Sequence, residues 1–229
     1  MDGPGAPAGQ QGGTAMIRVL LADDHAAIRA GLTVLLSQTE DIEVIGEVAD
    51  GDAAVAAARQ WRPDVVVMDV RMPGMDGIQA TGIITRERLA DVLVLTTFDF
   101  DDVVFGALRA GAAGFLLKTA EPDALIGAIR SVAAGDGVIA PEVTRRLLSA
   151  FIAHPLPPAS TGANQVADLT PREHHILAEL GRGLSNTQIA AELVITEATV
   201  KTHVSRVLAK LGVTSRMQAA IIAREKGLA

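Results

Sequence analysis

Cysteine is absent from the 229 residues, and tyrosine is absent too. The first absence excludes disulfides, iron–sulfur clusters, cysteine-bearing zinc sites and thiol chemistry, and it fits a reducing compartment. Aromatic residues are only 3% of the chain, which argues against stacking platforms for single-stranded nucleic acid. No apolar run exceeds six residues, far short of a membrane span. The first 15 residues contain no Lys or Arg and no apolar core, so they do not read as a signal peptide. They read as a flexible tail, with Met16 as an alternative start. What is present is aliphatic: 49% hydrophobic and 21% charged residues can bury a core, and the length suits one large domain or two small ones.

The net charge of −7 is unevenly spread. Residues 1–168 hold 12 Lys+Arg against 22 Asp+Glu, and residues 169–229 hold 8 against 5. An acidic front and a mildly basic back suggest two jobs, the second on a polyanion. Along the front, short β-branched or leucine-rich runs alternate with helical patterns. Strands are expected at Ile17–Ala22, Ile42–Val48, Asp64–Met68, Val92–Thr96 and Gly114–Leu117, and helices near 26–37, 52–60, 77–87, 101–110 and 121–134. Five βα units imply an α/β doubly wound, flavodoxin-like parallel sheet over 16–135. Residues 136–168 read as a linker with one helix at 141–152, followed by the Pro- and Ser-rich HPLPPASTGANQ.

An all-α unit is expected over 169–229. Thr170-Pro171-Arg172-Glu173 is an N-cap, a proline in the first turn and a capping-box glutamate. Ser185, Thr196 and Ser215 start three further helices, and Gly212 ends the third. Four short helices with tight turns suggest a helix-turn-helix bundle.

In an open parallel sheet ligands bind beyond the carboxyl ends of the strands. Asp23 and Asp24 end the first strand and Asp69 the third, so with strand order 2-1-3-4-5 the three carboxylates converge. One like-charge pair at about 4 Å costs roughly 4 kcal/mol at an effective dielectric near 20, a cost that Mg²⁺ removes. Thr96 and Lys118 end the next two strands and add a hydroxyl and an ammonium. The combination suits a phosphoryl group.

LLADDH (20–25), VVVMDVRMPGMDG (65–77), LTTFD (95–99) and GFLLK (114–118) resemble the receiver domain of bacterial two-component response regulators. The resemblance covers about 17–135. It implies that Asp69 accepts phosphate from a sensor histidine kinase, and that Asp23, Asp24, Asp69 and the backbone carbonyl of Arg71 hold Mg²⁺. It further implies that Thr96 and Lys118 bind the phosphoryl oxygens, and that Phe115, with Thr96, forms the switch. Phe115 stands where many members carry Tyr. Phosphotransferases of the haloacid dehalogenase class need a second Asp two residues after the nucleophile. Arg71 occupies that position here, so the chain is not expected to be an enzyme beyond its own phosphorylation and dephosphorylation.

In the third C-terminal helix Val200, Val204, Val207, Leu208 and Leu211 form one apolar stripe. Thr202, Ser205 and Arg206 lie opposite, with Lys201 at the edge, a face suited to a major groove. LTPREHHILAELGRGLSNTQIAAELVITEATVKTHVSRVLAKLGVTSRMQAA (169–220) is similar to the LuxR-type helix-turn-helix of the NarL/FixJ family. The resemblance implies base contacts from Lys201, Thr202 and Ser205. Arg206, Asn186, Thr196, Thr199 and Lys210 are further candidates for DNA contact. His203 flanks the core stripe and is expected to pack or hydrogen-bond. The adjacent pair His174 and His175 suits no shared metal geometry on a helix.

Taken together the two resemblances imply a cytoplasmic regulator that binds double-stranded promoter DNA and dimerises when Asp69 is phosphorylated. A regulator that binds DNA independently of phosphorylation, with a relict pocket, is the alternative. A signalling adaptor whose helical bundle binds protein is the third reading.

Overall fold

The computed structural model describes residues 16–97, 101–139 and 166–228. The tail at 1–15 and the expected helix at 141–152 lie outside the described residues.

Parallel strands β1 (Ile17–Ala22), β2 (Ile42–Val48), β3 (Val65–Met68), β4 (Asp91–Thr96) and β5 (Gly114–Leu117) alternate with α1 (Ala26–Leu36), α2 (Gly51–Trp61), α3 (Gly77–Arg86), α4 (Asp101–Arg109) and α5 (Pro122–Ala133). The order is β2-β1-β3-β4-β5, with β6 (Val138–Ile139) added in parallel beside β5. Within the segment expected as a linker, Val138 and Ile139 pair with Gly114 and Phe115 of β5. Two residues are too short to show a period of two, so the strand carries no sequence signal.

All four residues of β3 are buried, as are the last four of β1 and the last five of β4. Helices therefore cover both faces of the sheet, which is why these strands read as continuous apolar runs. Side-chain caps fix helix starts. Asp50 accepts from the Ala53 N–H at 2.7 Å and Asp76 from the Gln79 N–H at 2.8 Å.

The second unit has its own core, built on Ile176, Leu177, Leu180, Ile189, Val200, Val207 and Leu211. Its helices are α6 (Pro171–Gly181), α7 (Asn186–Leu193), α8 (Glu197–Leu211) and α9 (Arg216–Glu225). The capping box at Thr170 and Glu173 is formed, and equivalent boxes pair Ser185 with Gln188 and Ser215 with Gln218. Gly212 ends α8 at φ +63°, a left-handed cap. The stripe on α8 is inward as expected: Val200, Val204, Val207 and Leu211 are buried and Leu208 is half-buried.

The two units touch. Met217 of α9 packs against the receiver-side core, and the Gln218 side-chain amide donates to the carbonyls of Leu108 and Arg109 at 3.1 and 3.0 Å. Gly111 (φ +93°) lies so near Thr214 that a side chain there would collide with its hydroxyl.

Candidate functional site

Strand register assembles the pocket. Ala22 pairs with Met68, so Asp23 and Asp69 leave adjacent strands side by side, and the Asp69 N–H bonds the Ala22 carbonyl at 2.8 Å. Thr96 pairs with Leu117, and the N–H of Lys118 bonds the Thr96 carbonyl at 2.7 Å. Gly77 fixes the other side: the N–H of Gly77 bonds the Val70 carbonyl at 2.9 Å, and a Cβ at Gly77 would strike the Asp69 carbonyl. The sequence motif contains this glycine, but its service to Asp69 becomes visible only in three dimensions.

Lys118 is the electrostatic centre. Its Nζ lies 2.5 Å from Asp23 Oδ2 and 2.8 Å from Asp69 Oδ2. The remaining oxygen of each carboxylate is also engaged: the His25 N–H donates to Asp23 Oδ1 at 2.9 Å, and the Val70 N–H to Asp69 Oδ1 at 2.8 Å. Burial pushes the Asp69 carboxyl above its ordinary range, although Lys118 pulls it the other way. Burial would lower Lys118, but hydrogen bonds and charge from Asp23 and Asp69 outweigh it and hold the ammonium above its usual range.

One lysine against three carboxylates leaves the pocket negative. Asp24 Oδ1 is buried with no hydrogen-bond partner, and the His25 Nδ1 atom lies 2.6 Å from it. Asp23, Asp24, His25 and Asp69 each offer one ligand atom within 4.8 Å of the others. An orphaned carboxylate oxygen facing like charges is what a hard divalent cation would satisfy. Asp23, Asp24 and Asp69 therefore fit the expected Mg²⁺ site. His25, which no motif in the sequence marks as a ligand, lies beside them. Arg71 is exposed in the loop after β3, two residues beyond Asp69.

Thr96 is 2% exposed at the end of β4, beside the pocket. Phe115 is 1% exposed. Its ring belongs to the receiver core. A phenyl ring has no hydroxyl to keep at the surface, and burying it is worth roughly 2–3 kcal/mol.

On the second unit Lys201, Thr202, Ser205 and Arg206 are exposed along one side of α8. Thr196 caps α8 by accepting from the Thr199 N–H at 3.2 Å, and the two hydroxyls lie 2.9 Å apart. Lys210 reaches back to the start of α6. Its Nζ sits 2.7 Å from Glu173 and 3.1 Å from the Asp168 carbonyl, so it completes the N-terminal cap of α6. Asn186 is 2% exposed and bonded across the domain boundary. His203 is half-buried, and its Nδ1 atom is buried without a hydrogen bond.

The receiver-domain model for response regulators matches residues 19–130, and the model for bacterial regulatory proteins of the LuxR family matches 167–223. The transcriptional regulatory protein LiaR of Bacillus subtilis is 43% identical over 217 residues, covering 93% of this chain and 99% of LiaR. The chain belongs to the LuxR-type response regulators. The nitrate/nitrite response regulator NarL of Escherichia coli K12 is 37% identical to this regulator, covering 89% of the chain and 93% of NarL. Among solved structures, the response regulator ChrA of a heme-sensing two-component system superposes with a TM-score of 0.52 at 40% identity, covering 94% of the regulator and all of ChrA. The regulator therefore acts in DNA-binding transcription regulation within a two-component system. None of the helices among its described residues is long and apolar enough to cross a membrane.

Proposed function

We propose that this regulator is a phosphorylation-gated, cytoplasmic transcription factor whose acceptor is Asp69. The observation that carries the reading is the pairing of Asp69 and Asp23 on one lysine at the mouth of the sheet. The donor is the phosphohistidine of a sensor kinase. An Asp69 carboxylate oxygen attacks phosphorus, a new O–P bond forms, the N–P bond breaks and the histidine leaves. Lys118 and the Thr96 hydroxyl bind the transferred oxygens. Mg²⁺, held by Asp23, Asp24, Asp69 and the Arg71 carbonyl, would screen the negative charge of donor and pocket.

The DNA surface is the exposed side of α8, with Lys201, Thr202 and Ser205 reading bases and Arg206 meeting phosphate. This side stays exposed but faces the receiver at one flank: Lys201 and Ser205 share an interdomain cleft of about 340 Å³ with Arg88 and Asp91. Phosphorylation frees this flank and lets two copies pair on adjacent half-sites.

Acetyl phosphate labelling tests the acceptor. Label is expected on the wild type only with Mg²⁺ or a similar ion, to be lost in Asp69→Asn and strongly reduced in Asp24→Ala. Full labelling of Asp69→Asn would place the acceptor elsewhere.

A further inference from the structure

Asp136 stands three residues beyond the end of α5, and its Oδ1 atom is claimed twice by the other domain. Arg216 Nη1 lies 2.6 Å away, and the backbone N–H of Asn186 donates to the same oxygen at 2.8 Å. Asn186 is the first residue of α7, where first-turn amides have no partner within the helix. A guanidinium and a positive helix end thus converge on one anionic oxygen, as they do around phosphate.

The cationic half of this arrangement is held by its own domain. Arg216 Nη2 donates to the Leu184 carbonyl at 2.5 Å, and Nη1 lies 3.2 Å from Asn186 Oδ1. The Arg216 side chain is only 10% exposed. These internal bonds would keep Nη1 aimed outward if the receiver withdrew. The site also opens on the cleft lined by Lys201 and Ser205, so it belongs to the face that reads DNA. Receiver carboxylates oppose both parts of that face, since Asp91 lies within electrostatic reach of Lys201.

We propose that Arg216 and the amide of Asn186 form a phosphodiester-binding site of the DNA-binding domain, and that Asp136 occupies it in the closed chain as an internal stand-in for a DNA phosphate. The proposal rests on the DNA-binding reading above and adds direct competition for one anion site to the receiver's position at one flank of α8. Closure and DNA engagement then exclude one another at a single guanidinium.

The test uses the full-length, unphosphorylated regulator and a fluorescent duplex of mixed sequence, with affinity followed from about 50 to 300 mM salt. Asp136→Asn keeps the side-chain shape and removes the charge, and should bind about 5- to 50-fold tighter than the wild type. In that opened background, Arg216→Gln should weaken binding about tenfold and reduce the salt slope by about one unit. Arg216→Lys keeps a cation and a donor to Leu184, so it guards against misfolding. It should retain the slope with about threefold weaker binding. Equal binding by the wild type and Asp136→Asn would overturn the proposal and leave DNA binding intact. So would equal affinity and slope for Asp136→Asn and its Arg216→Gln derivative, because Asp136 would then only hold the domains together. Absence of binding by all four proteins at low salt would overturn the DNA-binding reading and this proposal with it.

Discussion

Asp69 is 4% exposed and hydrogen-bonded at both oxygens, yet burial still raises its carboxyl above the usual range. An acceptor must keep this negative, partly desolvated oxygen, so reactivity is held against stability. Asp69→Asn should therefore abolish phosphorylation and also stabilise the unliganded fold by about 1 kcal/mol, a few degrees in melting temperature. A melting temperature lowered by the substitution would contradict that account. Glu173 shows the opposite electrostatics. Lys210 and the N–H of Thr170 hold its carboxyl down at about 2. A depressed carboxyl stabilises the fold above its unfolded value and loses that contribution as pH falls through the folded value. The DNA-binding unit should lose stability between about pH 4.5 and 2, and Glu173→Gln should flatten that limb in a circular-dichroism titration.

Among elements, β4 connects the two functional ends. Thr96 closes it beside Asp69, while Asp91 opens it near Lys201, a strand length of about 20 Å away. The α8 helix divides its labour by face. Alanine at Lys201 or Thr202 should weaken specific DNA binding by about 1–3 kcal/mol each, measured on the regulator's own promoter. Alanine at Lys210 should instead lower thermal stability and leave the salt slope unchanged, because its ammonium is committed to Glu173. A slope reduced by one unit would restore Lys210 to the DNA surface.

These elements also show what the sequence alone makes legible. Periodicity and caps placed β1, β2, β5, the start of α7 and the bounds of α8 because those signals are local. Thr170, Ser185 and Thr196 cap where they stand in sequence. The pocket was legible because a parallel sheet brings strand ends together whatever the loops do. The roles of Lys210, Asn186 and Asp136 were hidden, since each depends on a partner 37 or more residues away.

At the scale of the whole molecule, the acidic pocket lies at the carboxyl ends of the strands, and the cleft lined by Lys201 and Ser205 lies at the amino end of β4. The domains meet through a few directional bonds, Arg216 to Asp136 and Gln218 to the end of α4, with Met217 as an apolar plug. A small interface of this kind suits a switch, because a change of a few kcal/mol can release it. One helix-turn-helix has a small footprint, so the open form should gain most by pairing on half-sites about 10 base pairs apart. Sedimentation should show a monomer without phosphate and a dimer with beryllofluoride and Mg²⁺. A stable dimer before activation would point to rearrangement within a preformed pair.

The most direct test of the account is promoter-duplex affinity with and without beryllofluoride, run in parallel on the wild type and Asp69→Asn. The activated wild type should bind about 5- to 150-fold tighter, with no response from Asp69→Asn. Equal affinity of the wild type in both states would contradict it.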